Sequence, residues 1–235
     1  MNELLSDLEN YHLYINPKEG VIVQDLLDDE ICKHMLKEQS KIWGAPNLVT
    51  AASMFIKRYA VITVSSTLYS MIVHQTILPL HPANLTWSKN GSLSLKEAEV
   101  NYITLNEADR NAIRKSYLRQ LFAEHLTPLV LTLSRSTGVK ENVLWENIAV
   151  RVNSVYRKLL ETNPAEQMIT NIYKDFNFLS QGDADLFGIG NNPLERFLKI
   201  GEELKENPQR KTCCLYHLLD KNRGKGNYCV NCPLI

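Results

Sequence analysis

The sequence predicts a mainly α-helical protein with one small β-hairpin and a cysteine-rich loop at its C-terminal end. Three observations carry this prediction. Apolar residues recur at helical spacing through most of the 235 residues. An Asn90-Gly91 dipeptide sits between two short alternating segments, a hairpin signal. Four of the five cysteines fall after position 212.

From Asp25 to Trp43, Leu26, Leu27, Ile31, Met35 and Ile42 mark a first helix that stops at Gly44-Ala45-Pro46. Asn47 caps a long helix through Ala51, Phe55, Tyr59, Ile62, Leu68 and Ile72, ending near Pro79 and Pro82. The hairpin lies within 84–103, where Leu85, Trp87, Leu93 and Leu95 alternate with polar residues. Helical spacing returns after Asn106 through Ile113, Tyr117, Leu121 and Phe122, with a kink or break at Pro128 and a stop at Gly138. A further helix covers Asn142 to Glu161, and another starts after Pro164. Phe176 to Asn192 is expected to be a loop. Asn192-Pro193 then opens a last helix that ends about Asn207-Pro208. The expected organisation is a helical body over 1–207 and a cysteine segment over 208–235.

The 26 basic and 26 acidic residues cancel, so no global charge favours nucleic acid or an anionic membrane. The acidic N-terminus MNELLSDLEN does not resemble a secretory signal, and a cytoplasmic location is expected. Ala60 to Leu80 is uncharged and long enough to span a bilayer. Thr63, Ser65, Ser66, Thr67, Ser70, His74, Gln75 and Thr76 run through it, so a helix in a protein core is the better reading and no transmembrane segment is expected.

The tail contains Cys213-Cys214 and, after a gap spanning residues 215–228, Cys229-Val230-Asn231-Cys232-Pro233. In a reducing compartment, close-set cysteines bind metal or do redox chemistry more often than they form disulfides. The C-x-x-C half suits zinc or an iron-sulfur centre equally. The vicinal half discriminates, because adjacent side chains diverge and strain a tetrahedral site for one ion. A two-iron cluster needs two thiolates on each of two separated metals, and Cys213, Cys214, Cys229 and Cys232 supply them. Arg210, Lys211, Lys221, Arg223 and Lys225 suit an anionic centre, against the single acid Asp220 after Thr212. Cys32, in the first helix, is expected to be a small buried residue.

The pattern R-x-x-C-C-L followed by C-x-x-C-P at the end of a helical chain resembles the FhuF-like siderophore-iron reductases. Gly138-Val139 followed by Leu144-Trp145-Glu146-Asn147 resembles that family's G-V…L-W-x-N segment, and the uncharged helix after Lys57-Arg58 lies where the family places one. The resemblance spans the last two-thirds of the chain. It implies a [2Fe-2S] cluster on the four C-terminal cysteines, a ferric siderophore as substrate, and release of iron by one-electron reduction to the more weakly chelated Fe(II). The gap between the cysteine pairs is longer than in a familiar member of that family, and Asn222-Arg223-Gly224-Lys225-Gly226-Asn227 resembles a loop extension of small energetic cost. With neither a P-loop nor a dinucleotide fingerprint present, an external donor such as a ferredoxin or flavodoxin is expected.

Substrate-contact candidates are few. Arg223 and Lys225 could steer an acidic donor or an anionic chelate. Arg151 belongs to a stripe with Asn147, Ser154 and Lys158 whose default reading is a solvated face. Trp145 is expected in the core, and His217 is expected to hydrogen-bond or face solvent rather than ligate. The rival class is a helical interaction module with a structural four-cysteine zinc site.

Overall fold

The computed structural model describes residues 2–16, 19–96, 100–199 and 208–235. Helices dominate, as expected. In chain order the described elements are α1 (Asn2–Asn10), β1 (Leu13–Ile15), β2 (Gly20–Ile22), α2 (Asp29–Trp43), α3 (Leu48–Ala60), α4 (Ser66–Val73), β3 (Thr76–Ile77), β4 (Leu85–Ser88), β5 (Leu93–Leu95), β6 (Ile103–Thr104), α5 (Arg110–Arg119), α6 (Thr127–Thr137), α7 (Glu141–Glu161), α8 (Glu166–Ser180) and the single turn α9 (Ala184–Phe187).

The predicted caps form. Asn47 Oδ1 accepts from the Thr50 N–H at 2.9 Å and starts α3. Helix α2 starts at Asp29 rather than at Asp25, because the 23–27 segment winds as a 3₁₀ turn; Asp28 caps it by accepting from the Glu30 and Ile31 N–H groups. Gly44 and Gly138 end α2 and α6 in the left-handed conformation.

The long apolar helix of the sequence is α3 and α4 joined by a π-helical stretch at Val61–Ser65. Leu48–Val73 is long and apolar enough to cross a membrane by length and composition, yet most of its residues are buried inside the protein. Several of its hydroxyls are paired: Thr63 and Ser66 donate to the carbonyls of Tyr59 and Ile62, and Thr67 meets the Tyr117 hydroxyl. The helix ends at Val73 rather than at Pro79, since the chain turns there to pair β3 with β6.

The hairpin signal marks β4 and β5, antiparallel with Trp87 opposite Leu93, and Gly91 takes the turn at φ 78°. These two strands are the centre of a four-stranded sheet ordered β1-β5-β4-β2, in which β1 runs parallel to β5. The flanking strands are three residues each, too short for a period-2 pattern to show.

Three expectations are corrected. The helical backbone does not break at Pro128; the kink or break expected there is replaced by a π-helical stretch at Gln120–Leu126, immediately before the proline, which lets the helix continue past a residue with no N–H. Helix α8 runs to Ser180, into the expected Phe176–Asn192 loop, because Phe176 and Leu179 are core residues. After Asn192, whose Oδ1 accepts from the Leu194 N–H, residues 193–197 form turns rather than a helix, since the Asn153 carboxamide takes the Phe197 carbonyl and Lys199 N–H. The rest of that predicted helix, 200–207, lies outside the described residues.

One apolar core joins the helices to the sheet, and Trp145 is buried in it against Phe187. Cys32 is fully buried, and burial pushes its thiol up to about 11. A separate small cluster of Met54, Cys214 and Leu219 seats the cysteine tail on α3.

Candidate functional site

The tail from residue 208 docks on α3 and α7 through side chains that sequence patterning alone does not single out. Glu146 on α7 is buried and accepts from the backbone N–H groups of Lys211 and Thr212, at 2.6 and 2.7 Å, and from the Thr212 hydroxyl. The next residue, Asn147, is fully buried. Its Oδ1 accepts from Arg210 Nη1 at 2.8 Å while its Nδ2 donates to the Ser53 carbonyl at 3.2 Å. Ser53 in turn donates to the Cys214 carbonyl at 2.9 Å. Consecutive residues of the L-W-x-N segment therefore fix the irregular segment that leads into the vicinal cysteines, and the solvated-stripe expectation fails at Asn147.

A second contact needs a glycine. The Gly44 carbonyl accepts from the Asp220 N–H at 2.9 Å, and a Cβ on Gly44 would lie 2.9 Å from the Asp220 side chain. The tail also closes on itself. The Arg210 N–H reaches the Asn231 carbonyl, the Gln209 amide donates to the Cys232 carbonyl, and the Cys232 N–H turns back to the Cys229 carbonyl at 3.0 Å.

This folding gathers the four thiols. Cys214 and Cys232 are buried, Cys213 and Cys229 partly so, and none is in a disulfide. The Cys214 and Cys229 side chains are hydrogen-bonded across the two sequence pairs. Cys213 lies close enough to feel the charge of Cys214 and Cys232. Among the described residues no three His, Cys, Asp or Glu side chains converge to hold a single ion.

N–H groups point at the sulfurs. Leu215 adopts φ 65°, a conformation unfavourable for a branched side chain, and its N–H lies 3.4 Å from Cys213 Sγ. The Tyr216 N–H serves Cys214. Lys57 Nζ approaches Cys214 Sγ at 3.6 Å and lies 4.7 Å over the Tyr216 ring. The Cys229 thiol, followed by the Lys57 and Arg210 charges, holds the Cys214 thiol well below the ordinary thiol range, against burial. Cys229 is raised correspondingly, first by the same hydrogen bond and then by burial. His217 Nδ1 sits 3.6 Å from Cys213 Sγ and the ring stacks on Tyr228.

Beside the thiols lies a cavity of about 570 Å³ between α3, α7 and the tail, with Cys229 in its wall. Lys57, Arg151, Arg157, Lys199, Arg210 and Lys211 line it, and Glu146 is the one acid among its described lining residues. Arg151 and Ser154 of the predicted stripe face it, while Lys158 is exposed elsewhere on α7. Arg223 and Lys225 do not reach it. They stand exposed on the loop extension, where Arg223 lies 3.7 Å from Asp220. Sequence reasoning missed Lys57 and Glu146, whose only signal was membership of segments noted for other reasons.

No curated protein matches the chain. The family model described as "Ferric iron reductase FhuF-like transporter" matches residues 53–202, more than half of the chain. The match starts in α3 at Ser53 and includes Lys57, Glu146, Asn147 and Arg151, and it ends before the cysteine tail. The chain belongs to the FhuF-like ferric iron reductase family.

Proposed function

We propose that the protein is a ferric-siderophore reductase of the cytoplasm whose four C-terminal cysteines carry a [2Fe-2S] cluster. The observation that carries this is the assembly of four thiols under three N–H donors, from Leu215, Tyr216 and Lys57. Such donors suit the sulfurs of an anionic iron-sulfur centre and make its reduced state less costly. The family match supports reduction of ferric iron; the cluster rests on this chain's own tail.

The bound group supplies a one-electron couple. The residues do the rest: Glu146, Asn147 and Ser53 fix the vicinal cysteines, Lys57 and Arg210 bring positive charge to Cys214, and the cavity seats the ferric chelate beside Cys229. One electron converts chelated Fe(III) to Fe(II), which hard anionic oxygen ligands hold less well. The exposed Arg223 and Lys225, lying outside the cavity, are assigned to docking an acidic donor such as a ferredoxin or flavodoxin.

Protein purified without air tests the reading. The visible absorption of a [2Fe-2S] centre, with two iron and two labile sulfide per chain, is the expected result. Dithionite-reduced protein mixed with a ferric chelate is then expected to reoxidise as Fe(II) appears. A colourless protein with one zinc and no sulfide would instead make the tail a structural zinc module.

A further inference from the structure

The cavity beside Cys229 is cationic in a specific way. Of its charged lining residues, Glu146 is spent on the tail: its oxygens take the Lys211 and Thr212 N–H groups, and Arg210 lies 3.5 Å away. Arg210 is spent too, on Asn147 and the Thr212 carbonyl. Lys57 faces a thiol and a ring. Arg151 differs from all of these. It makes no hydrogen bond and no ion pair among the described residues, its Nε is buried without a partner, and its nearest charges are the cations Arg210 and Arg157 and the thiols of Cys214 and Cys229. It lines this cavity and also an adjoining one of about 400 Å³ that shares Lys57 and Tyr216.

A guanidinium beside other cations and largely shielded from water is costly unless anions complete it; the Cys214 and Cys229 sulfurs are near, and the cavity leaves room for a bidentate partner that no residue supplies. Its planar fork matches a carboxylate, which accepts two parallel N–H bonds. A neutral hydroxamate chelate offers no such charge. The volume falls in the range of small-ligand pockets, typically about 300–1,000 Å³.

We propose that Arg151 is the specificity residue of the substrate pocket and that it binds a carboxylate of a carboxylate-bearing ferric chelate, in preference to a neutral or cationic hydroxamate chelate. The inference rests on the reductase reading for its purpose, but not for its test.

Gallium(III) has the charge and coordination of ferric iron without its redox chemistry, so binding is measured apart from turnover. The full chain is titrated by calorimetry with gallium(III) citrate and with a gallium(III) trihydroxamate. The wild-type protein is expected to favour the citrate complex, with affinity that falls as salt rises. Arg151→Gln should weaken citrate-complex binding about 10-fold or more, the loss of a charge-assisted contact, and should change hydroxamate binding far less. Arg151→Lys, which keeps charge but loses the fork, should lie between. Melting curves and the visible spectrum verify that each variant is folded and loaded. Equal affinity of the wild-type protein for both complexes would overturn the assignment. So would a folded Arg151→Gln protein that binds the citrate complex as tightly as wild type. If Arg151→Gln does not fold, the wild-type preference and the Arg151→Lys affinity decide. A zinc-containing, sulfide-free preparation would end the reductase reading while leaving the gallium result to judge the pocket by itself.

Discussion

Two arginine sites in this protein resolve the same problem in opposite ways. Between α5 and α8, Arg110 Nη2 and Arg114 Nη1 both donate to the fully buried Asp175, at 2.6 and 2.7 Å, and Arg110 also donates to Gln75. Arg114 lies flat on Phe178 as well. Beside the cysteine tail, Arg151 has no such partner. All three leave a buried Nε unmatched, so the difference lies in their terminal nitrogens. The first site completes itself and holds two helices together; at the second the guanidinium has no bonded partner among the described residues, only the sulfurs of Cys214 and Cys229 nearby. A third solution appears at His125, which is buried between the Tyr59 hydroxyl and the Leu80 carbonyl and sheds its charge altogether.

The largest expected effect lies in the tail. Cys214→Ser should abolish iron and sulfide incorporation, measured by metal analysis and visible absorption, while the helical body keeps its circular dichroism. A variant that retained a full cluster would remove Cys214 from the ligand set. Next comes the self-completed pair. Asp175→Asn strands two arginines in the core and should cost about 3–5 kcal/mol in urea unfolding at neutral pH. Arg151→Gln, by contrast, should leave unfolding stability unchanged or raised, because it removes a largely buried charge that no hydrogen bond or ion pair holds among the described residues. Equal losses at the two sites would erase the distinction between them.

His125 gives a pH signature. Burial holds its folded-state value at about 4, below the ordinary 6.5, so between those values the unfolded chain binds more protons than the folded one. Its contribution is fully present above pH 6.5 and is lost as pH falls towards 4, amounting to about 3 kcal/mol. His125→Gln should flatten stability over that window; a profile unchanged by the substitution would show that another group dominates. A more local effect is Glu146→Gln, which keeps the shape but weakens the grip on the Lys211 and Thr212 amides by about 2 kcal/mol. Hydrogen exchange at those two amides should quicken before any global change appears.

The amino-acid sequence by itself determined the helical class, the caps at Asn47, Gly44 and Gly138, the Asn90-Gly91 turn and the cysteine inventory, because each rests on spacing or on the local chemistry of one or two residues. It could not reveal the three-residue strands β1 and β2, whose pairing partners lie some 65 or more positions away in the chain. It separated Arg223 and Lys225, conspicuous within the cysteine loop, from Arg151, which looked like one more polar position on α7. Tertiary structure reversed that ranking. Burial and the loss of water decide what a charge costs, and both depend on which surfaces fold over it: the tail covers Arg151 and leaves Arg223 and Lys225 in solvent. The pairing of Glu146 and Asn147 with the residues before Cys213 was likewise decided only by the fold, since contacts across more than sixty residues leave no period in the sequence.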